Sequence, residues 1–387
     1  MELIIKQKVL ERALAHSTGI IDRKQAVPIL GYVLFEAIPE KGLTITSTNM
    51  DMTIVDNIEC NVLREGSYCL PAGLLYDITK KMKSGSDISF VYEQESNSIK
   101  ISSNRANFEI HYMEKDNFPP IANISYPITF SMKSKVFKNS INVAKVAMLQ
   151  DNTRFHLNGI HMHYENDMGI DKIRFVATDL FRIACVSTLA PNAVQSMPPI
   201  IVSKKTVTEL LKLVDGNESE DISISVSDNR VAFKVSTSEI KTEYSSRLIN
   251  GTFPEYKSAL DVSNDKILIV NTEDIIDALD RVSTIVMDST SSVKLIIDKN
   301  TLTLSGISRE LGSATEELEI SFNSLEPLEI CFNSRYLLEI LKEIKTPQVK
   351  MLLAESNSST IIEPTDAAEA SDIEMTFAVM PIEIVKS

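Results

Sequence analysis

Six amphipathic segments recur along the chain, at 6–16, 72–83, 133–149, 203–214, 272–287 and 333–345. Each places apolar residues at i, i+3 and i+4, the spacing of a helix with one buried face. Between them run short alternating stretches rich in Val, Ile and Thr, the pattern of half-buried strands. A period of roughly sixty to seventy residues is that of a small helix-plus-sheet unit used about six times.

The order of elements supports a coarser repeat. A strand at 2–6 leads into a helix whose stripe is Val9, Leu10, Ala13 and Leu14, and strands at 30–38, 43–48 and 52–60 follow. Pro71 opens the second helix, where its missing N–H has no partner to lose, with Leu74, Leu75, Ile78 and Met82 as its buried stripe. Asp116-Asn117-Phe118-Pro119-Pro120 then breaks all periodicity. The same order resumes with a strand at 128–132 and strands at 158–164, 172–178 and 182–188, and Ser203 stands at an N-cap position. Asn250-Gly251-Thr252-Phe253-Pro254 repeats the break. A third round begins at 267–271 with a helix capped by Thr272, continues with one led by Asn333, and ends in strands near 349–353, 359–363 and 374–380. The pattern predicts three similar domains, 1–127, 128–252 and 253–387, each with two helices and about eight strands. Short connections without intervening helices predict antiparallel sheet, hence an α+β fold.

Composition excludes several classes. With 387 residues, 43% hydrophobic and 24% charged, the chain is an ordinary globular one too long for a single core. No apolar run reaches the roughly 20 residues of a membrane-spanning helix, and the start Met1-Glu2-Leu3-Ile4-Ile5-Lys6 is unlike a signal peptide. Cys60, Cys69, Cys185 and Cys331 have no metal-type or redox-type spacing, so free thiols in a reducing cytoplasm are expected.

The net charge of −14 argues at first against nucleic acid. Its distribution argues otherwise. The six helical windows hold 17 basic and 9 acidic residues, whereas the remainder holds 22 and 44. Lys135, Lys138 and Lys145 share one helix face, opposite Phe137, Ile141, Ala144 and Met148. Lys205, Thr208 and Lys212 do the same opposite Val207, Leu210, Leu211 and Val214. The fifth helix departs, with Glu273, Asp274, Asp277 and Asp280 against Arg281. Such segregation suits one surface that meets phosphate while the outside repels it. It equally suits lysines kept for solubility on exposed helix faces. No zinc-finger spacing, basic zipper or RNP-type aromatic pair reads bases, so the contact is non-specific.

Other signals point to no chemistry. His161-Met162-His163 puts two imidazoles on one strand face, but no carboxylate or cysteine cluster completes a metal site. Thr178-Asp179 lacks an acid/base partner at a suggestive spacing, and Glu316, Glu317 and Glu319 read as a solvated face. With 12 glycines there is no Gly-rich phosphate loop. No catalytic residue, metal or cofactor is expected.

Seven stretches carry a specific likeness: Pro28-Ile29-Leu30-Gly31, Thr48-Asn49-Met50-Asp51-Met52, Leu157-Asn158-Gly159, Ala177-Thr178-Asp179 with Arg182, Phe253-Pro254-Glu255-Tyr256, Phe332-Asn333 with Tyr336-Leu337-Leu338, and Val379-Met380-Pro381. In register over the whole chain, they resemble the bacterial sliding clamp family, the β subunit of DNA polymerase III. The resemblance implies a head-to-tail homodimer of three-domain arcs closed around double-stranded DNA. Twelve helices at ~10 Å spacing give a circumference of ~120 Å, and an opening of ~28 Å after helix thickness is removed. It further implies that Lys24, Lys80, Lys204 and Lys205 lie at or beside DNA-facing positions, with Gly73 where the family is basic.

A hydrophobic pocket for partner peptides is also implied, lined by Leu157, Thr178, Leu180, Arg182, Ile183, Pro254, Val379, Met380, Pro381 and Ile382. Its partners are the polymerase α subunit, the clamp loader and other proteins with a clamp-binding motif. Leu180-Phe181 stands where the family has a small residue followed by histidine, and the tail Glu383-Ile384-Val385-Lys386-Ser387 runs longer than usual. Phe108 and Ile110 on an edge strand, with Ile285 and Val286, are implied to meet across the dimer. The function expected is a non-catalytic processivity factor that raises the effective concentration of polymerase at DNA. The alternatives are a DNA-acting enzyme, for which no convergent carboxylates appear, and a monomeric protein adaptor that never encircles DNA.

Overall fold

The computed structural model describes residues 1–21, 26–93, 98–150, 153–192, 194–215, 221–286, 291–365 and 372–382. Among them are seven α-helices: α1 (Gln7–Ile20), α2 (Ala72–Lys81), α3 (Ser134–Ala144), α4 (Lys204–Val214), α5 (Lys257–Leu260), α6 (Thr272–Ser283) and α7 (Ser334–Leu341). All but α5 answer to the periodic segments. The four residues of α5 are too few to show a period, and they give the last third of the chain one helix more than expected.

Apolar packing rather than capping sustains α1, whose N-cap Lys6 offers no side-chain bond. It buries Val9, Leu10, Ala13 and Leu14, and then Ser17 and Ile20. In α2 the buried stripe is Ala72, Leu75, Ile78 and Thr79, with Met82 buried just beyond the helix. Leu74 is 51% exposed, because one step from Leu75 turns a side chain ~100° off the stripe. Pro71 is the N-cap residue before the first turn, not its first member. The last two helices are capped by asparagine. Asn271 Oδ1 accepts from Glu273 N and Asp274 N at 2.9 and 3.1 Å, so Thr272 is the first helical residue and not the cap. Asn333 Oδ1 accepts from Arg335 N and Tyr336 N at 3.0 and 3.3 Å. The segment 30–38 begins as a 3-10 turn, Pro28–Gly31, before the strand Tyr32–Ile38. Pro28 has no N–H for a ladder.

The chain forms two compact units. The first comprises Met1–Lys138, Pro191–Met197 and Lys205–Leu248. Its five-stranded sheet has the order Asn61–Arg64, Glu2–Lys6, Asp87–Glu93, Ser98–Ser103 and Ala106–His111, which leaves the last strand at an edge. Its nine-stranded sheet runs from Met113–Glu114 through Gly66–Pro71, Tyr32–Ile38, Gly42–Thr48 and Met52–Ile58, then on through Ile240–Arg247, Arg230–Ser236 and Asp221–Val226 to Ile128–Lys133. Every pairing is antiparallel. Leu3, Leu10, Leu14, Phe35, Leu75 and Phe90 are among the fully buried residues of one core between these sheets and α1 and α2. Each such side chain contributes ~1.5–3 kcal/mol by leaving water.

The second unit comprises Asn139–Ala190, Pro198–Lys204 and Ile249–Ser387. Its nine-stranded sheet has the order Ile200–Ser203, Gly159–Asp167, Ile170–Thr178, Arg182–Leu189, Glu374–Val379, Thr360–Pro364, Gln348–Leu353, Lys266–Asn271 and Ser321–Phe322. A four-stranded sheet, Gly312–Glu319, Thr301–Ser308, Ser292–Asp298 and Leu328–Asn333, leaves Gly312–Glu319 at an edge. Neither unit coincides with one repeat of the sequence pattern. Met52–Ile58 pairs with Ile240–Arg247, and Arg182–Leu189 pairs with Glu374–Val379, so each large sheet crosses from one repeat to the next.

Gly42 opens its strand at φ +88°, where a Cβ would lie 2.2 Å from the carbonyl oxygen of Ile58. Both backbone strain and collision oppose any side chain there. Gly42→Ala is expected to cost about 3 kcal/mol, read as a lowered midpoint of urea unfolding, whereas Gly85→Ala, at positive φ but with open space around it, loses less.

Candidate partner-peptide site and nucleic-acid face

A five-residue turn carries the centre of the expected peptide site. The strand Ile170–Thr178 ends where Thr178 Oγ1 donates to Arg182 O at 2.8 Å and accepts from Leu180 N at 3.0 Å. Asp179 Oδ1 accepts from Phe181 N and Arg182 N, both at 3.0 Å. These four bonds hold Leu180 at φ +76°, a conformation that costs a bulky residue ~1–2 kcal/mol. The side chains so presented are apolar and open: Leu180 is 46% and Phe181 60% exposed.

Cross-strand pairing brings the C-terminal segment alongside. Arg182 faces Val379, and Met380 N donates to Phe181 O at 2.8 Å. Met380 is 45% exposed, and Ile382 N donates to Cys331 O at 2.8 Å, which ties down Pro381 and Ile382. Beneath them the Arg182 guanidinium is almost wholly buried. It donates from Nε to Asp179 Oδ2 at 3.0 Å, pairs with Glu339 Oε2 at 2.7 Å and lies 4.3 Å from the centre of the Tyr336 ring. A buried cation needs that many partners to offset its lost hydration. Tyr336 and Glu339 on α7 are thus part of the site. The motif Tyr336-Leu337-Leu338 was legible in the sequence, but its tie to Arg182 was not.

The segment after the second break is anchored by histidines. The Phe253 ring stacks on His161 at 4.6 Å and 7°, His161 stacks on His163 at 4.7 Å, and Tyr256 Oη lies 3.2 Å from His163 Nε2. Ile183, Phe253 and Leu260 pack against a small core of Val176, Cys185 and Tyr256, which fixes the half-buried Pro254 between the anchored Phe253 and Tyr256. The two imidazoles of one strand face therefore serve packing. Burial holds the His161 side chain down at about 4, and burial together with the charge of His161 does the same for His163.

The expected pocket lining thus divides. Leu180 and Met380 present open apolar surface, and Ile183, Pro254, Pro381 and Ile382 are half-buried. Leu157, Thr178, Arg182 and Val379 are covered, so they form the floor beneath the surface and not its open lining. Phe181, not among the expected lining residues, is the most exposed of this group.

Expectations for the interface residues divide similarly. Phe108, on the edge strand Ala106–His111, is 37% exposed and Ile285 is half-buried. Ile110 belongs to the core of the first unit, and Val286 lies against the strand Thr301–Ser308, where a Cβ on Gly306 would meet it at 2.6 Å. Ile110 and Val286 are therefore covered within the single chain.

Of the expected DNA-facing lysines, Lys80 and Lys135 are exposed, Lys80 with its Nζ 5.8 Å from the centre of the Tyr76 ring. Others are engaged within the protein: Lys138 with Asp215 at 2.9 Å, Lys145 with Asn142 at 2.6 Å, and Lys212 with both oxygens of Glu209 at 2.8 and 3.0 Å. Lys204 bonds Gln150, and Lys205 reaches Ile20 O at 3.4 Å. Lys24 lies outside the described residues, as does the tail 383–387.

Three α+β modules in succession, with sheets continuous from one to the next and an exposed apolar turn at the second junction, define the DNA-clamp fold. Family models of the DNA polymerase III beta subunit match in order, the N-terminal domain over residues 1–123, the central domain over 131–255 and the C-terminal domain over 257–378. The beta sliding clamp of Caulobacter vibrioides (strain NA1000 / CB15N) is 30% identical over 385 residues, covering 99% of this chain and 100% of that protein. The structure of a DnaN sliding clamp from Bartonella birtlesii bound to griselimycin matches with a TM-score of 0.92 and 31% identity over 99% of this chain and 100% of that one. Its counterpart from Pseudomonas aeruginosa, also bound to griselimycin, matches with a TM-score of 0.89 and 26% identity at the same coverage. The chain belongs to the DNA polymerase III beta subunit family.

The depressed histidines make the Phe253 anchor acid-sensitive. Unfolded histidines take up protons near pH 6.5, the folded pair only near 4. The unfolded state therefore binds more protons in between, and the pair's contribution is intact above pH 6.5 and lost as pH falls toward 4. Thermal unfolding followed at pH 7.5 and 5 should show a drop that His161→Phe reduces, since that ring keeps the stack and cannot charge.

Proposed function

We infer that this protein is a sliding clamp, a non-catalytic processivity subunit of a DNA-directed DNA polymerase. Full-length membership of the beta subunit family in three successive domains is the observation that carries the reading. Its domains are 1–127, 128–252 and 253–387, and two copies join head to tail as a ring around duplex DNA. The ring holds DNA by topology, so individual phosphate contacts stay weak and the clamp slides. The lysines support this: Lys80 and Lys135 project from helices, while Lys138 and Lys212 are partly neutralised by Asp215 and Glu209.

Head-to-tail closure uses two of the free sheet edges among the described residues. Ala106–His111 and Gly312–Glu319 each end a sheet with one unpaired side, and a long exposed edge invites another strand. Phe108 and Ile285 supply apolar contact beside the pairing. The turn carrying Leu180 and Phe181, with Met380, takes a short peptide's Leu or Phe while its backbone lies along the rim. Through such peptides the clamp tethers the polymerase α subunit, the clamp loader and other DNA enzymes. The protein works in the cytoplasm, and no described helix is long and apolar enough to cross a membrane.

Three measurements test this reading. After loading by a cognate clamp loader, the protein should stay on a closed circular plasmid and run off the same plasmid once linearised; equal loss from both would leave a monomeric adaptor as the better description. Leu180→Asp with Met380→Asp should weaken partner-peptide binding by at least ~10-fold in fluorescence anisotropy while the sedimentation mass remains that of a dimer. Phe108→Asp should do the reverse, giving a folded monomer that still binds the peptide.

A further inference from the structure

The turn that presents Leu180 has a twin in the first compact unit. There Thr48 Oγ1 donates to Met52 O at 2.9 Å and accepts from Met50 N at 3.1 Å. Asn49 Oδ1 accepts from Asp51 N and Met52 N at 3.2 and 2.8 Å. Met50 has φ +76°, the same value as Leu180. The residue after the last cross-strand pair closes both turns: Arg247 N donates to Asp51 O at 2.9 Å, as Met380 N does to Phe181 O. Both turns force a large apolar side chain into the left-handed region and leave it open, Met50 at 56% exposure. Glycine or asparagine would hold this conformation at less cost. Strain retained twice for the same display points to use of the displayed side chain.

Beside Met50 lies a cleft of about 500 Å³. Thr53, Val55 and Ser245 form its floor, and residues 119–124, which follow the first break, form one wall. Among the described residues, 119–125 make no backbone–backbone hydrogen bond, so that wall offers free backbone groups to an extended chain. Arg230 and Arg247 stand directly opposite one another across paired strands at the rim. Like charges so placed repel. Arg230 spends its N–H groups on the carbonyls of Met50 and Asp51, Asp51 reaches Arg247 at 3.4 Å, and the other carboxylate of the lining, Glu243, is paired with Lys234 at 3.2 Å. An anion at the rim would relieve the repulsion.

We propose that this cleft is a second peptide-docking site, which takes an extended partner segment carrying a carboxylate next to an aliphatic or aromatic residue. The carboxylate sits between Arg230 and Arg247, and the apolar side chain lies on Met50, Val55 and the exposed Ile121. The apolar side chains of Met50, Val55 and Ile121 beside the arginines favour a peptide over a nucleic-acid phosphate, which would need the arginines alone. The proposal extends the docking function inferred for the Leu180 turn but stands on separate residues.

Titration of the full-length protein with a fluorescein-labelled Asp-Leu-Phe amide tests it. Two sites per chain are expected, one lost in Met50→Asp and the other in Leu180→Asp. Arg230→Gln, or an Asn-Leu-Phe probe, should weaken only the Met50 site, by ~10-fold. Met50→Gly should also lose that site while the midpoint of unfolding holds or rises, because glycine relieves the strain. Binding unchanged in Met50→Gly would show the methionine to be merely structural. One site that survives Met50→Asp and vanishes in Leu180→Asp overturns the proposal and leaves the inferred docking turn intact. One site with the opposite response supports the proposal and removes the Leu180 turn from docking. A labelled short DNA duplex that binds through Arg230 where the peptide does not would reassign the cleft to phosphate.

Discussion

Each compact unit depends on a pairing between strands that are distant in sequence. Met52–Ile58 meets Ile240–Arg247, and Arg182–Leu189 meets Glu374–Val379. These ladders fuse sheets that the repeat pattern assigns to different modules. At the first seam the wholly buried Asp56 carboxylate accepts from Thr242 Oγ1 at 2.5 Å, 186 residues away in sequence, and faces His16 Nδ1 at 3.2 Å. A buried carboxylate with fixed partners specifies register sharply, because a slip by one residue would strand the charge. Closing such long loops costs entropy before any contact offsets it, so the seams are expected to form late in folding.

The seams also create the sites. At both, a strand must end, turn and re-enter the sheet beside a segment from the next module. The chain uses one solution twice, a Thr-Asx pair whose side chains bind the turn's own backbone and hold the third residue at positive φ. What differs is the electrostatics. Arg182 is drawn inward and neutralised by Asp179, Glu339 and the Tyr336 ring, which leaves an apolar surface. Arg230 and Arg247 stay at the rim of theirs, so the two junctions share a backbone and differ in surface charge.

Periodicity made the helices legible because an amphipathic helix repeats one signal over several turns. It failed where the signal was brief or local. The four-residue α5 has no period, and Leu74 fell one position off the stripe of α2. Thr272 was one residue past the cap that Asn271 provides, since both residue types cap well and only backbone geometry separates them. Ile110 and Val286 read as interface by likeness to a family, yet they are covered within the single chain; exposure is set by which element packs over a residue, and no local pattern reports that.

By itself the sequence determined the module, its threefold use, the antiparallel α+β class and the segregation of lysines onto helices, because these follow from the spacing of residue types along the chain. Tertiary structure alone decided that the large sheets cross the module boundaries, that Leu157 and Val379 lie covered while Phe181 stands open, and that most of the expected DNA-facing lysines are engaged within the protein. Those outcomes rest on which distant groups come within a few ångströms of each other. Spacing fixes what a residue prefers to touch, and only the folded chain fixes what it does touch.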